Sequence, residues 1–258
     1  MKINITRHRK IWLAISGGLV ALSLSMVAIF GFNLGLDFLG GIRWNVHFNG
    51  DTQVTSEQLV TFFEDQPILD KEAIIQSSGE NMFLITLEEL EETQFDSLSK
   101  KLEQSVGLFD VISFRRVSNS IGQHFQNEAF GAIGLALFAI IVFVGIAFRK
   151  IPKSVNQWRF GGSAIIALFH DVLVIVGIFA VLGSVADVEL DLQFITALLA
   201  TLGFSVNDTI VILDRVRENL NKQKSKESFE DVVEKSVQQT LRRSINTSIS
   251  TLFPLIFL

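Results

Sequence analysis

LQFITALLATLGFSVNDTIVIL, residues 192–213, contains a single charge, Asp208. A run of about 20 apolar residues is long enough, as a helix, to cross the roughly 30 Å hydrocarbon core of a bilayer. Working outward, Ile11 to Phe32, Ala129 to Phe148 and Phe160 to Val185 have similar length and are also nearly free of charge. A fifth apolar run follows Arg243 and reaches Leu258. Hydrophobic residues make up 48% of the chain, and it is their gathering into these runs that indicates membrane spans.

The net charge of −5 averages over segments of opposite sign. Lys2, Arg7, Arg9 and Lys10 precede the first run, and Arg149, Lys150, Lys153 and Arg159 separate the second from the third. A further basic group, from Arg215 to Arg243, separates the fourth from the fifth. The loop between the third and fourth runs has Asp187, Glu189 and Asp191 with no Lys or Arg. The positive-inside rule therefore places the N-terminus in the cytoplasm and residues 33–127 outside. Trp12 and Trp158 fall at the cytoplasmic interfaces, where indole rings prefer to sit. The first run is too long for a signal peptide and lacks a small-residue cleavage site, so it reads as a retained anchor. Cysteine is absent, which excludes disulfides, thiolate metal sites and cysteine nucleophiles.

Residues 33–127 read as a small α+β domain with flanking linkers. Trp44, Val46 and Phe48 alternate on one face of a strand. Thr55 or Ser56 would cap a helix bearing Leu59, Phe62 and Phe63. Ala73-Ile74-Ile75 and Met82 to Leu87 read as strands separated by Ser77-Ser78-Gly79. Phe95, Leu98, Leu102 and Val106 follow at helical spacing, and Val111, Ile112 and Phe114 make a last strand. The β-α-β-β-α-β order is that of the ferredoxin-like split motif. His47 and His124 stand alone, and no catalytic or metal-binding constellation is present. Gly35, Gly40 and Gly41 flank Asp37 and Phe38, a stretch suited equally to a tight turn and to a moving joint. The segment 214–241 is charged, with Phe229, Val232, Val233 and Val237 at helical spacing, and reads as an amphipathic surface segment ahead of the run 244–258.

Two carboxylates lie inside the runs, Asp171 near the middle of the third and Asp208 in the cytoplasmic third of the fourth. An acid at such depth is costly unless paired, hydrated or protonated, which makes it a candidate functional group. Thr201, Ser205 and Asp208 share a face of the fourth run. Arg243, Asn246 and Ser250 share one on the fifth, beside Thr247 and Thr251. The hydroxyls suit helix-to-helix contacts. Asp208 suits function better, because a neutral residue would serve packing at lower cost. Asp171, beside His170, fits either role. Counted from the nearest basic residues, Arg159 and Arg215, the two aspartates lie at different depths.

Several strings carry a resemblance: G-L-D-F-L-G-G at 35–41, H-D-V at 170–172, G-F-S-V-N-D-T-I-V-I-L-D-R-V-R-E-N at 203–219 and T-L-R-R-S-I-N-T-S at 240–248. Together they closely resemble the SecD/SecF family of bacterial protein-export membrane proteins, on its smaller, SecF-type side. That family belongs to the resistance-nodulation-division superfamily of proton-driven membrane proteins. The resemblance implies a multi-pass protein of the bacterial inner membrane that assists Sec-dependent export with the proton gradient. It implies SecD, the Sec channel, exported preproteins and membrane lipid as partners, with no nucleic acid, no cofactor and no enzymatic reaction. By motif match the relay aspartate falls on Asp208 and the relay arginine on Arg243. Asp171, Thr201, Ser205, Asn207, Arg242 and Asn246 form a secondary polar set. The family has six spans where five are read here, the last incomplete, so the sequence reads as truncated. S-N-S-I-G, before the second span, lacks a proline the family often places there.

Other readings remain beside this one. A proton-coupled efflux permease of the same superfamily would need a far larger outer domain. An intramembrane aspartyl protease would use Asp171 and Asp208 as acid and base, but the Gly-x-Gly-Asp signature of one such class is missing at Asp208. A structural scaffold without proton coupling is the plainest alternative.

Overall fold

The computed structural model describes residues 5–49, 53–149, 157–223 and 227–256. Lys2, Lys150, Lys153, Lys224 and Lys226, used in the charge reading, lie outside these residues, as do Phe257 and Leu258. In chain order the elements are α1 (Arg9–Phe30), α2 (Leu36–Leu39), β1 (Gly41–Phe48), α3 (Ser56–Glu64), β2 (Ile74–Gly79), β3 (Met82–Leu87), α4 (Glu92–Ser105), β4 (Phe109–Val117), α5 (Asn119–Ala147), α6 (Gln157–Val185), α7 (Leu192–Asn221) and α8 (Phe229–Ile256). They fall into a helical unit, Met1–Asn33 with Ala132–Leu258, and a sheet unit, Leu34–Gly131.

In the helical unit four helices are long and apolar enough to cross a membrane: Thr6–Phe30, Asn119–Ala147, Trp158–Val185 and Leu192–Asn221. Only 6–17% of their most apolar windows is buried within the chain. Phe130, Leu135, Phe138 and Ile166 are among the large apolar side chains left on the outside, as expected of helices whose solvent is lipid or neighbouring helices.

Three boundaries differ from the sequence reading, the first being α5, which was expected from Ala129 and already begins at Asn119. The fourth apolar run was expected to end at Leu213, but α7 continues to Asn221. Its last turns are laced by ion pairs at helical spacing, Arg217 to Asp214 at 2.5 Å, Arg215 to Glu218 at 2.7 Å and Lys222 to Glu218 at 2.6 Å. Nothing there breaks a helix, and charge ends only the apolar face. Similarly, 214–241 is not a separate surface segment: its second half and residues 244–256 form one continuous helix, α8. That helix starts at a cap in which Ser228 Oγ accepts from the Asp231 backbone N–H at 3.1 Å and donates to its carboxylate at 2.7 Å. The Ser228 hydroxyl and the Ser228 backbone N–H both donate to the Asp231 carboxylate and hold its pKa below the ordinary carboxylate value.

The sheet unit has strand order β2-β3-β1-β4, every neighbouring pair antiparallel. Ile42, Trp44, Val46 and Phe48 of β1 point to a core shared with Leu59 and Phe63 of α3, Ile85 of β3, and Leu98 and Leu102 of α4. Trp44 meets Phe95 and Phe109 edge-on, each at 5.0 Å between ring centroids. Thr55 is the cap of α3, its hydroxyl accepting from Gln58 N–H at 3.3 Å while Gln58 returns to Thr55 N–H at 3.0 Å. The expected break at Ser77-Ser78-Gly79 is instead the bulged end of β2, with Gly79 paired to Met82. The turn falls on Glu80-Asn81, because Asn81 takes the left-handed conformation, φ 54°, that asparagine tolerates.

One close approach holds α1 against α6. A Cβ built on Gly177 would stand 2.5 Å from the Ser23 Cβ, so only glycine permits this crossing. Gly177→Ala is expected to destabilise the helical unit by about 1–3 kcal/mol, as overpacking does. Gly131→Ala, where a Cβ meets nothing within 4 Å, should leave stability near wild type apart from helix propensity. Thermal unfolding in detergent distinguishes the two, and equal midpoints would contradict the packing.

Candidate functional site

The polar residues inside the apolar helices converge. His170 and Asp171 of α6, Thr201, Ser205 and Asp208 of α7, and Thr247, Ser248 and Thr251 of α8 line one cavity of about 500 Å³. Ser205 and Asp208 are one turn apart on α7 and therefore share a face. Leu202 and Val206, on the flank of that face, pack against Leu168 in the apolar seam between α6 and α7. The same crossing thus aligns the polar face of α7 with the polar pair on α6.

Asp171 is the best-connected group. Its Oδ2 accepts from Ser205 Oγ at 2.5 Å and its Oδ1 lies 2.9 Å from His170 Nδ1. His170 Nε2 is buried without a hydrogen-bond partner among the described residues. The two aspartates line the same space, and they keep the difference in depth counted from Arg159 and Arg215, because Asp171 bonds Ser205, one turn from Asp208 along α7.

Asp208 is partly buried and Arg243 is exposed. No ion pair joins them among the described residues. Asn219 bridges α7 to α8, donating to Ser236 at 2.8 Å and to Gln239 at 2.9 Å. In that antiparallel register Asp208 lies level with about residue 248. Arg243 therefore sits roughly five residues, or ~7 Å, nearer the Asn221 end of α7. Arg242, Arg243 and Asn246 lie on the neighbouring open face of α8, and Thr247 and Thr251 border both that face and the cavity. Thr201, Thr247 and Thr251 donate back to carbonyls one turn earlier at 2.8–3.0 Å, so their protons are engaged locally. Asn207 is exposed and does not line the cavity. Sequence reasoning missed Ser248 and the Asn219 bridge. The signal for Asn219 was its spacing of three helical turns from Asp208.

Comparison with known proteins shows the family to which the chain belongs. Residues 97–258 match the family model of the protein export membrane protein SecD/SecF, C-terminal. The chain belongs to the SecD/SecF family. It is 35% identical over 240 residues to the protein translocase subunit SecF of Thermobaculum terrenum, covering 88% of this chain and 73% of the relative. With the SecF of Anaerolinea thermophila it shares 34% over 221 residues, covering 84% and 69% respectively. Among solved structures it superposes on the translocon-associated membrane protein SecDF of Thermus thermophilus with TM-score 0.81 at 29% identity. It superposes on SecDF in its super-membrane-facing form with TM-score 0.64 at 30% identity. Each match covers 99% of this chain and 33% of the solved one, so the chain spans a third of the length of those SecDF chains. Family membership and the apolar helices make it a SecF-type, multi-pass inner-membrane protein.

The glycine-rich stretch at 35–41 lies in the sheet unit. Leu36, Asp37 and Phe38 are buried, and Arg115 donates to Asp37 Oδ1 at 2.6 Å. Gly40 and Gly41 have φ of +73° and +122°, and a Cβ on Gly41 would stand 2.4 Å from the Leu87 carbonyl oxygen. The stretch is packed as a tight turn. Arg115→Met would leave the Asp37 carboxylate without that charge-assisted bond and is expected to cost about 1–3 kcal/mol. Trp44 fluorescence during denaturant unfolding, with Trp12 and Trp158 replaced by Phe, reports it. An unchanged midpoint would contradict a structural role for the pair.

Proposed function

We propose that this chain is the SecF-type subunit of a SecD–SecF assembly that assists protein export through the Sec channel using the proton gradient, and that it is not an enzyme. The observation carrying this reading is the cavity that brings Asp171 and Asp208 together among otherwise apolar helices in a chain of this family. The N-terminus is cytoplasmic and the sheet unit outside, on the distribution of basic residues. The sheet unit is a ferredoxin-like domain, supported by its β-α-β-β-α-β order and its β2-β3-β1-β4 antiparallel arrangement. The later half of α8 enters the membrane as a fifth span, with Ile245, Ile249, Leu252 and Ile256 on its outside. SecD supplies neighbouring helices, and open faces such as Gly131 and Gly134, where a Cβ would meet nothing, suit close helix contacts.

Asp208 and Arg243 act as the switch. A carboxylate in an apolar setting is stabilised in its charged form by a nearby guanidinium, and protonation removes that attraction. Arg243 lies within a short slide of Asp208 along α8, so the two groups could associate in one state and separate in another. Such shifts of packed helices are a common form of conformational switching. An emerging preprotein would be engaged by the outer domain, which responds as protons pass.

The hydrolytic reading also places two aspartates in one cavity. Against it, both oxygens of Asp171 are engaged by His170 and Ser205, whereas an acid–base pair would hold a shared water.

Asp208→Asn matches the neutral acid in size but cannot exchange a proton. In full-length protein assembled with SecD, it is expected to co-purify normally yet reduce translocation into vesicles to the level seen without a gradient. Arg243→Lys should also be impaired, because an ammonium lacks the planar guanidinium fork. Wild-type gradient stimulation in Asp208→Asn would contradict proton coupling at this residue.

A further inference from the structure

We propose that Asp171 is a second proton-binding group, exchanging its proton with Asp208 through the Ser205 hydroxyl and held in position by His170. This rests on the proton-coupled reading above and extends it to a site on a different helix. The geometry is specific. Of the hydroxyls on the cavity-facing side of α7, Thr201 turns back to its own backbone at 2.8 Å, while Ser205 reaches across to α6 at 2.5 Å. Ser205 lies one turn from Asp208 on the same wall of the cavity, and its hydroxyl already bonds Asp171 across that space. His170 occupies Oδ1 of Asp171 and leaves Oδ2 for the serine.

The proton balance is simple. A proton on Asp208 passes to Ser205 Oγ, directly or through a cavity water, as the serine proton passes to Asp171 Oδ2. Asp208 is left ionised and Asp171 neutral, the serine regains one proton for the one it gives, and the net charge of the site is unchanged. A cavity of about 500 Å³ has room for such water.

Few other charges compete. His170 lies on the same helix and Asp208 faces from α7. The α8 residues lining the cavity, Thr247, Ser248, Thr251 and Leu252, do not titrate, and Arg243 lies on the neighbouring open face. Neither α1 from Ile11 to Phe30 nor α5 from Ala129 to Ala147 carries an ionisable side chain. Helix adhesion alone would be served by asparagine at 171 at lower desolvation cost.

The test uses the full-length assembly with SecD, read by gradient-stimulated translocation in proteoliposomes and by pH-difference infrared spectra of protonated carboxyl groups. Asp171→Asn is expected to lose gradient stimulation and one carboxyl band that Asp208→Asn retains. Ser205→Ala should slow stimulated translocation about tenfold, less than the roughly hundredfold or more of a positioned acid–base group because cavity water still carries some protons, with Ser205→Thr restoring it. His170→Gln should displace the pH midpoint of the Asp171 band without removing it. Wild-type stimulation and an unchanged spectrum in Asp171→Asn, with stimulation lost in Asp208→Asn, would overturn the inference and leave the broader reading intact. Stimulation retained in both would sink the broader reading. Should Asp171→Asn fail to assemble, the serine pair decides: equal rates in Ser205→Ala and wild type would overturn the relay.

Discussion

A carboxylate set among apolar helices must find hydrogen-bond donors or lose its charge, because lipid offers neither water nor counter-charge. In this chain the Ser205–Asp171 contact supplies one such donor, and much of the helical unit is arranged consistently with it. Leu168, Leu202 and Val206 close an apolar seam on one side of the α6–α7 crossing. The hydroxyls and acids are thereby gathered beside it. Asn219, holding Ser236 and Gln239, fixes the register in which α8 presents its threonines to the same space. Arg217, donating to the Ala147 carbonyl at 3.3 Å, helps satisfy the end of α5 as a cation at a helix C-terminus does.

The two units rest on different physics. The sheet unit is a water-soluble type of core, in which burying each large side chain such as Leu59 or Leu102 contributes about 1.5–3 kcal/mol. The helical unit buries little of its apolar surface and relies on close approach, as at Gly177 against Ser23. The spare apolar surface is what partner helices or lipid would cover.

Much of this was legible in the sequence. Apolar run length located four long helices, and alternation placed Trp44, Val46 and Phe48 on the core face of β1. Capping chemistry located the start of α3. Helix ends were less legible where charge replaces apolar residues without a helix breaker: Asp214 to Asn221 stays helical through its own ion pairs. The Glu80-Asn81 turn was obscured because Gly79 is the more familiar turn signal, whereas the backbone reverses at Asn81. At the site, helical spacing grouped Thr201, Ser205 and Asp208 correctly on one face. Depth counted from terminal arginines set Asp171 and Asp208 apart, and they remain about one turn apart, but the count gave no sign that both would line one cavity. No local pattern in α6 announces which residue of α7 it will meet, since that depends on a crossing set by the apolar seam.

On the proposed mechanism, the space among α6, α7 and α8 changes shape with the protonation of its carboxylates. Spin labels on the exposed positions Gly203 of α7 and Ile249 of α8, in the full-length assembly in lipid, give the distance distribution between the helices. Two populations are expected, with a ratio that shifts with pH in the wild type and stays fixed in Asp208→Asn. A single distribution indifferent to pH, in an assembly that still exports protein in a gradient-dependent way, would contradict it.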